Sequence, residues 1–294
     1  MGRALIFPGQ AAQFQGMGKT LLENNNELQN QFDSAKEILG FDIQDVMFNG
    51  SEEDLKRTDV TQPAVFIHSY LTLKSRDAVD FKAVAGHSLG EFTALVAAGV
   101  MTFEEGLQLV KTRSSLMQEA CAATEGSMAA IIGLDDEKVE EVCNSIDGEV
   151  VAANYNCPGQ LVISGEMKAL ESAVEKMTEA GARRAMILNV GGAFHSSLMS
   201  SAAEGLTKAI NEIDFKVPSC AIYQNVDAKA YTDPELIKSN LIAQLDSSVR
   251  WTQTIQNMMA DGITDFIEVG GKGNILNGMI RRIDRSANLE AWKE

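Results

Sequence analysis

Short apolar strands alternate with helices along most of this chain, and the alternation is interrupted once. Residues 3–7 and 82–85 predict buried strands, the first ending at a Pro-Gly turn and the second entering a glycine-rich turn. Such alternation indicates a largely parallel sheet flanked by helices. Residues 126–191 instead predict the order β-α-β-β-α-β, which is typical of a ferredoxin-like α+β unit. We therefore expect a large α/β domain, residues 1–125 and 192–294, with residues 126–191 inserted as a small domain.

Length and charge restrict what the chain can bind. Its 294 residues indicate about two domains. The net charge of −16 repels polyanions, so nucleic acid is not an expected partner. A run of about 18 apolar residues is absent from the sequence, so no membrane association is expected. The sequence carries no signal-peptide pattern, and its four cysteines form no Cys-x-x-Cys pair. We expect a reduced, cytoplasmic protein and a monomer.

Local signals predict where three helices begin. Thr102 and Glu105 form a capping box for a long helix, and Ser51 and Asp54 resemble a second box before a short one. Thr61-Gln62-Pro63 predicts the start of a third helix, because proline is favoured in the first turn.

The segment Gly86-His87-Ser88-Leu89-Gly90 fits the pattern Gly-x-Ser-x-Gly between a predicted strand and a predicted helix. Its glycines allow a sharp turn that lifts Ser88 from the sheet, as in the nucleophile elbow of α/β hydrolases. The Leu89 N–H and the helix N-terminus would then face a developing oxyanion. An ordinary glycine-rich loop is the alternative. The flanking strand and helix favour a nucleophilic Ser88 in an α/β-hydrolase-like large domain.

A serine nucleophile needs a base, and the chain has only three histidines. His87 adjoins Ser88, and adjacent side chains diverge. His68 lies inside a predicted helix. His195 precedes a predicted helix from Ser196, whose N-terminus would disfavour the imidazolium and keep the ring neutral. We therefore favour His195 as the base over an ordinary residue at a helix start.

Arg113 lies within the apolar face of the helix predicted over residues 103–121. A buried guanidinium needs an anionic partner. One interpretation is a structural ion pair with one of the 41 acidic residues. The other is a fixed cation that holds the carboxylate of a substrate as a two-pronged fork.

These motifs, together with several others in the same order, resemble the malonyl-CoA:acyl carrier protein transacylases of fatty acid synthesis and the acyltransferase domains of polyketide synthases. The resemblance covers essentially the whole chain. Its segments are Phe7-Pro8-Gly9-Gln10, residues 86–95, residues 113–120, residues 127–134, Asn156-Cys157-Pro158-Gly159-Gln160, Asn225-Val226-Asp227, Val249-Arg250-Trp251 and Glu268-Val269-Gly270.

The resemblance implies a two-step acyl transfer. Ser88 would carry the malonyl group as an ester, and His195 would be its base. The family orients this histidine with a main-chain carbonyl, which here falls on Gln244. The partners would be malonyl-CoA and acyl carrier protein. CoA and phosphopantetheine would be substrate carriers, and no metal or redox cofactor is implied.

The resemblance also assigns the binding residues. Arg113 would bind the malonyl carboxylate, and the N–H groups of Gln10 and Leu89 would form the oxyanion hole. The carrier would dock on a basic patch despite the negative net charge. The candidate basic residues are Arg183, Arg184, Lys272, Arg281 and Arg282.

Three segments depart from the family pattern. The Gly-Ser that follows the first glutamine is Ala11-Ala12 here, which we expect to stiffen the loop behind the oxyanion hole. The common Gly-Pro-Gly near the C-terminus is Gly270-Gly271-Lys272. Malonyl-selective domains favour His-Ala-Phe-His before the base, and this chain has Gly192-Ala193-Phe194-His195. Phe194 keeps the bulky residue associated with excluding a methyl branch.

Two other functions compete with this interpretation. A serine hydrolase of the α/β-hydrolase type would place an acid between serine and histidine in chain order, with the histidine usually near the end. Here about 100 residues follow His195. A non-catalytic subunit that docks carrier protein is disfavoured by the presence of Ser88, His195 and Arg113 together.

Overall fold

The computed structural model describes residues 2–294 and forms two separate β-sheets. The strands within these residues are β1 Gly2–Phe7, β2 Ala83–Gly86, β3 Gly126–Ile132, β4 Val150–Cys157, β5 Gln160–Glu166, β6 Arg184–Ile187, β7 Ala221–Tyr223, β8 Ala230–Tyr231, β9 Ile263–Val269 and β10 Asn288–Trp292. The helices are α1 Lys19–Asn24, α2 Gln29–Leu39, α3 Ile43–Asn49, α4 Thr58–Lys74, α5 Gly90–Ala97, α6 Phe103–Ala123, α7 Asp136–Asn144, α8 Met167–Glu179, α9 Ser200–Asn211, α10 Pro234–Ala243, α11 Trp251–Ala260 and α12 Ile275–Ile283.

The larger sheet has the strand order β10-β9-β1-β2-β7-β8, and every pair except β7–β8 is parallel. The prediction of a largely parallel sheet is therefore confirmed. Side chains of β1 alternate between two cores, because successive residues of a strand point to opposite faces. Leu5 and Phe7 pack into the larger core, whereas Ala4 and Ile6 face the core that includes residues of α11 and α12. Burial on both faces explains the continuous apolar runs of these strands.

The smaller sheet is antiparallel, with the order β4-β5-β3-β6. Its elements follow the predicted sequence β-α-β-β-α-β, with α7 after β3 and α8 after β5. This unit has its own core, which includes Ile131, Val139, Leu161 and Leu170. It is joined to the rest of the chain along β4, where the Tyr155 N–H donates to the Val249 carbonyl at 2.9 Å.

Two helix starts differ from the predictions. Helix α4 begins at Thr58, so Pro63 lies inside the helix rather than in its first turn. Ser51 and Asp54 do bond reciprocally, but only the single 3₁₀ turn Asp54–Lys56 follows them. The capping box of Thr102 and Glu105 is present at the start of α6.

Candidate active site

The nucleophile elbow lies between β2 and α5. Ser88 has φ 52°, a left-handed conformation that is costly for a residue with a side chain. Gly86 and Gly90 permit the turn, because a Cβ on Gly86 would lie 2.0 Å from the carbonyl carbon of Gly90. A Cβ on Gly90 would lie 2.0 Å from the Phe7 carbonyl oxygen, so the turn also packs against the end of β1.

His195 lies beside the nucleophile, with its Nε2 2.8 Å from Ser88 Oγ. Its Nδ1 is 3.2 Å from the Gln244 carbonyl and 3.0 Å from the Ser247 carbonyl. Two carbonyl acceptors require the proton on Nδ1, so Nε2 is free to accept the serine proton. Sequence reasoning missed Ser247, since a main-chain carbonyl leaves no residue-type signal.

The environment of His195 keeps the imidazole neutral. Burial lowers its pKa to about 3, with the positive charge of Arg113 as the next contribution. The helical segment expected from near Ser196 is present, but it opens as a 3₁₀ turn over Ser197–Met199 and becomes α-helical at Ser200. The neutral state thus arises from burial and a neighbouring cation, and His195 can act as a base near pH 7.

Arg113 is fully buried on α6 and reaches the nucleophile. Its Nη2 donates to Ser88 Oγ at 3.0 Å, and its Nη1 donates to Gln62 Oε1 at 2.7 Å. Within residues 2–294 no carboxylate oxygen lies within 4.0 Å of the guanidinium, and Nε has no hydrogen-bond partner. Burial lowers the pKa of Arg113 to about 10, so the group stays charged at neutral pH. A structural ion pair is therefore not formed, and the site holds a buried cation without a contacting anion.

Gln62 is a site residue that sequence reasoning missed. It is fully buried, and besides accepting from Arg113 it donates through Nε2 to Gln10 Oε1 at 3.3 Å. It thereby connects the guanidinium to the loop that follows β1. Its only sequence signal was a place beside Pro63, which pointed to a helix start.

The loop of Gln10 packs directly on the elbow. A Cβ on Gly9 would lie 2.6 Å from the His87 carbonyl oxygen and 3.7 Å from the Leu89 nitrogen. The N–H groups of Gln10 and Leu89 donate no main-chain hydrogen bond within residues 2–294. Two uncommitted N–H groups beside a nucleophile can stabilise an oxyanion. Ala11 has φ 78°, so alanine occupies a left-handed position that favours glycine.

The other two histidines are occupied elsewhere. His87 is partly buried, and its Nε2 is 2.8 Å from Asn156 Oδ1 on β4, a contact that joins the elbow to the smaller sheet. His68 is fully buried on α4, where its Nδ1 accepts from the Gly271 N–H at 3.1 Å. Neither ring bonds to Ser88.

A cavity of about 400 Å³ opens in front of Ser88 and His195, with walls from both sheet units. Its apolar lining includes Met117, Met128, Val162, Leu188 and Phe194. Within residues 2–294 no group of three or more His, Cys, Asp or Glu side chains is arranged to hold a metal ion. In the same part of the chain, no helix has the length and apolar character needed to cross a bilayer.

The departure at Gly192 has a packing explanation. A Cβ on Gly192 would lie 2.2 Å from Cys121 Sγ, so the loop that carries His195 rests directly on α6. Gly271 has φ 58°, and a Cβ there would meet Ala12 at 3.1 Å. The Gly270-Gly271-Lys272 turn therefore packs against the loop behind Gln10.

Comparison with known proteins gives a consistent result over nearly the whole chain. A family described as "Acyl transferase domain" matches residues 4–291. The chain is 41% identical over 289 residues to the malonyl CoA-acyl carrier protein transacylase of Staphylococcus aureus (strain MW2), covering 97% of this chain and 94% of that protein.

Two solved structures are closely similar. One is an acyl-carrier-protein S-malonyltransferase from Burkholderia pseudomallei 1710b, with a TM-score of 0.95, 37% identity and coverage of 100% of this chain and 97% of that chain. The other is a malonyl-transacylase in complex with a type II polyketide synthase acyl carrier protein. It has a TM-score of 0.94, 35% identity and coverage of 100% and 96%.

Proposed function

The chain belongs to the acyl transferase domain family, and we propose that it moves a malonyl group from malonyl-CoA to acyl carrier protein through an ester on Ser88. It is an acyltransferase, and its relatives are named for this transfer. The observation that supports the malonyl substrate is the buried guanidinium of Arg113, which no carboxylate of residues 2–294 contacts and which lies 3.0 Å from the nucleophile. The enzyme would supply fatty acid synthesis.

In the first half-reaction, Ser88 Oγ attacks the thioester carbonyl carbon while its proton passes to His195 Nε2. The carbonyl oxygen becomes an oxyanion between the N–H groups of Gln10 and Leu89. When the carbon–sulfur bond breaks, the CoA thiolate takes the proton from His195. The malonyl group remains as an ester on Ser88.

The second half-reaction reverses these steps with a new thiol. The phosphopantetheine thiol gives its proton to His195 and attacks the ester carbonyl. Ser88 leaves as an alkoxide and regains the proton, and the carrier holds malonyl as a thioester. The proton balance closes on His195, so no metal or redox cofactor is required.

Arg113 would select the acyl group. The malonyl carboxylate can accept from the guanidinium, whose Nε has no partner and whose Nη2 now donates only to the neutral Ser88 hydroxyl. Binding of the distal carboxylate places the thioester carbonyl at Oγ. Phe194 on the cavity wall would limit a methyl branch.

A serine hydrolase remains the competing reaction. The His195 ring is oriented by two main-chain carbonyls, whereas the hydrolase triad uses an acid at that position. This difference favours the transferase. We propose that the large unit is α/β-hydrolase-like, on the basis of its nucleophile elbow. We also propose the division into residues 1–125 with 192–294 and residues 126–191, on the basis of the two sheets.

The decisive experiment is incubation with labelled malonyl-CoA, followed by mass spectrometry of the acylated peptide and then addition of carrier. We expect the label on Ser88, stable in water and released by holo-carrier or, in the reverse reaction, by free CoA. Ser88→Ala should fold and remain unlabelled, because the nucleophile is lost. Labelling of that variant would contradict the role of Ser88. Rapid hydrolysis of the label without carrier would favour the hydrolase.

The same preparation tests two further expectations. Fatty acid and polyketide carriers added in parallel would show which one accepts malonyl faster. Sedimentation would test the expected monomer. A cytoplasmic location agrees with four cysteines that form no disulfide.

A further inference from the structure

We propose that Glu91 is a positioning residue for acyl transfer: its buried carboxylate holds the amides that keep Ser88 and His195 in register. The proposal rests on the proposed function, because the reaction it serves is acylation of Ser88. Glu91 is the second residue of α5, three positions after the nucleophile, and its side chain is fully buried.

The carboxylate binds two consecutive residues after β7. Its Oε2 accepts from the Asn225 main-chain N–H at 2.8 Å, and its Oε1 accepts from Gln224 Nε2 at 3.2 Å. Gln224 is itself anchored, since the same Nε2 donates to the Ile237 carbonyl at 3.0 Å. The end of β7 is thereby tied to the start of α5.

Asn225 transmits this anchoring to the elbow. Its Oδ1 accepts from the Ser88 N–H at 2.7 Å, and its Nδ2 donates to the Gly86 carbonyl at 2.7 Å. One side chain therefore holds both sides of the turn. Because Ser88 is in a left-handed conformation, the turn needs such external support.

Gln244 extends the network to the base. Its Nε2 donates to the Ser88 carbonyl at 3.0 Å, and its main-chain carbonyl accepts from His195 Nδ1 at 3.2 Å. The Gln244 side chain also lies close enough to Glu91 to lower the pKa of its carboxyl. The nucleophile is thus bonded to Asn225, which Glu91 holds, and the base is bonded to Gln244, which lies beside Glu91.

The groups around Glu91 explain why a carboxylate stands there. Asn225, Gln224 and Gln244 all present N–H donors, and an ionised carboxylate offers acceptors only. A glutamine would direct its own NH₂ at one of these donors. Burial raises the pKa of Glu91 to about 7, even though these donors and the positive charge of Arg113 lower it.

The test is Glu91→Gln, measured by the single-turnover rate of Ser88 acylation, by the KM for malonyl-CoA and by melting temperature. We expect acylation to slow roughly 10- to 100-fold, as for a small misplacement of reacting groups, with little change in KM. Acetyl-CoA should lose the same factor as malonyl-CoA, because the network acts on Ser88 and not on the acyl carboxylate. Glu91→Asp keeps two acceptor oxygens and should recover part of the rate.

Glu268 provides a matched control. It is another fully buried carboxylate, and it accepts from the N–H groups of Ile275, Leu276 and Asn277 at the start of α12. Glu268→Gln should lower the melting temperature while slowing acylation much less than Glu91→Gln.

The outcomes separate the two proposals. A wild-type enzyme that malonyl-CoA does not acylate would overturn the function itself. If malonyl-CoA acylates the wild type and Glu91→Gln is acylated equally fast, only the role of Glu91 is overturned. Equal losses of acylation rate in the Glu91 and Glu268 variants would also overturn that role. If Glu91→Gln does not fold, Asn225→Ala makes the same test: slowed acylation supports the network, and an unchanged rate overturns it.

Discussion

Substitutions of the single residue Arg113 can show whether its buried charge selects the acyl group or stabilises the fold. Truncation to alanine removes the partner of the malonyl carboxylate, so malonyl transfer should fall roughly 100- to 1,000-fold, as for about 3–4 kcal/mol of lost charged hydrogen bonding. Acetyl transfer should fall far less, since acetyl has no carboxylate. Values of kcat/KM for malonyl-CoA and acetyl-CoA, with the melting temperature of each variant, measure the difference.

Arg113→Lys keeps the positive charge and is the conservative counterpart of Arg113→Ala. An ammonium cannot form the two-pronged contact, so it should restore malonyl transfer only in part. A scaffolding role would appear instead as equal losses toward both acyl groups together with a lowered melting temperature.

The lowered pKa of His195 predicts how the free energy of unfolding depends on pH. Its folded pKa of about 3 lies below the ordinary 6.5, so between these values the unfolded chain binds a proton that the folded chain does not. Unfolded protein is then favoured as pH falls, and this one group should remove about 2 kcal/mol of stability between pH 7 and pH 5. Denaturant unfolding of wild type and His195→Gln at both pH values measures it. Identical acid-induced losses in the two proteins would contradict the depressed pKa.

At the scale of elements, the contact between Gly192 and α6 links the base to the arginine helix. Gly192→Ala would place a methyl group 2.2 Å from Cys121 Sγ, and overpacking of this kind costs about 1–3 kcal/mol. We expect lower unfolding free energy and slower acylation, because the loop of His195 must move. Unfolding curves and single-turnover acylation report the two effects.

Gly191 and Cys121 provide control variants for Gly192→Ala. A Cβ on Gly191 meets nothing within 4 Å, so Gly191→Ala should leave stability unchanged. Adding Cys121→Ala to Gly192→Ala removes the sulfur and should restore part of both losses, although a 3.1 Å contact with the Cys121 Cβ remains. No recovery in the double variant would show that this contact is not the cause.

The whole molecule has a net charge of −16, so an acidic carrier would need a local basic surface to dock. All five basic candidates are exposed, but Arg282 is engaged, since its Nη1 donates to Gln160 Oε1 at 2.7 Å. Lys272 borders a cavity that shares Gln13 and Lys56 with the catalytic one. This position makes Lys272 the strongest candidate for an acidic carrier at the cavity mouth.

Salt should therefore raise the carrier KM while changing the CoA half-reaction less. Lys272→Glu should raise the carrier KM more than Arg183→Glu, because Arg183 is not among the residues that line either cavity. Steady-state kinetics at two ionic strengths measure both effects. A carrier KM that is indifferent to salt and to Lys272 would contradict docking at this patch.

The fold class was accessible from the sequence because periodicity and turn residues are local signals. Alternating strands and helices, the insertion order and the capping box at Thr102 all depend on neighbours within a few residues. The elements that were missed have weak local signals. Strand β10, Asn288–Trp292, is a short edge strand whose partly exposed residues carry little apolar pattern.

The features of the active site also fall into those with a local sequence signal and those without one. The amino-acid order alone predicts that Ser88 lies on a glycine-flanked turn and that Arg113 lies on an apolar helix face. The distance from Ser88 to His195, and the absence of any carboxylate of residues 2–294 within 4.0 Å of the Arg113 guanidinium, could be seen only in the folded protein. The roles of Gln62, Glu91 and the Ser247 carbonyl emerged there as well. These are contacts across long sequence separations, and they depend on how packed elements meet rather than on any residue's neighbours in the chain.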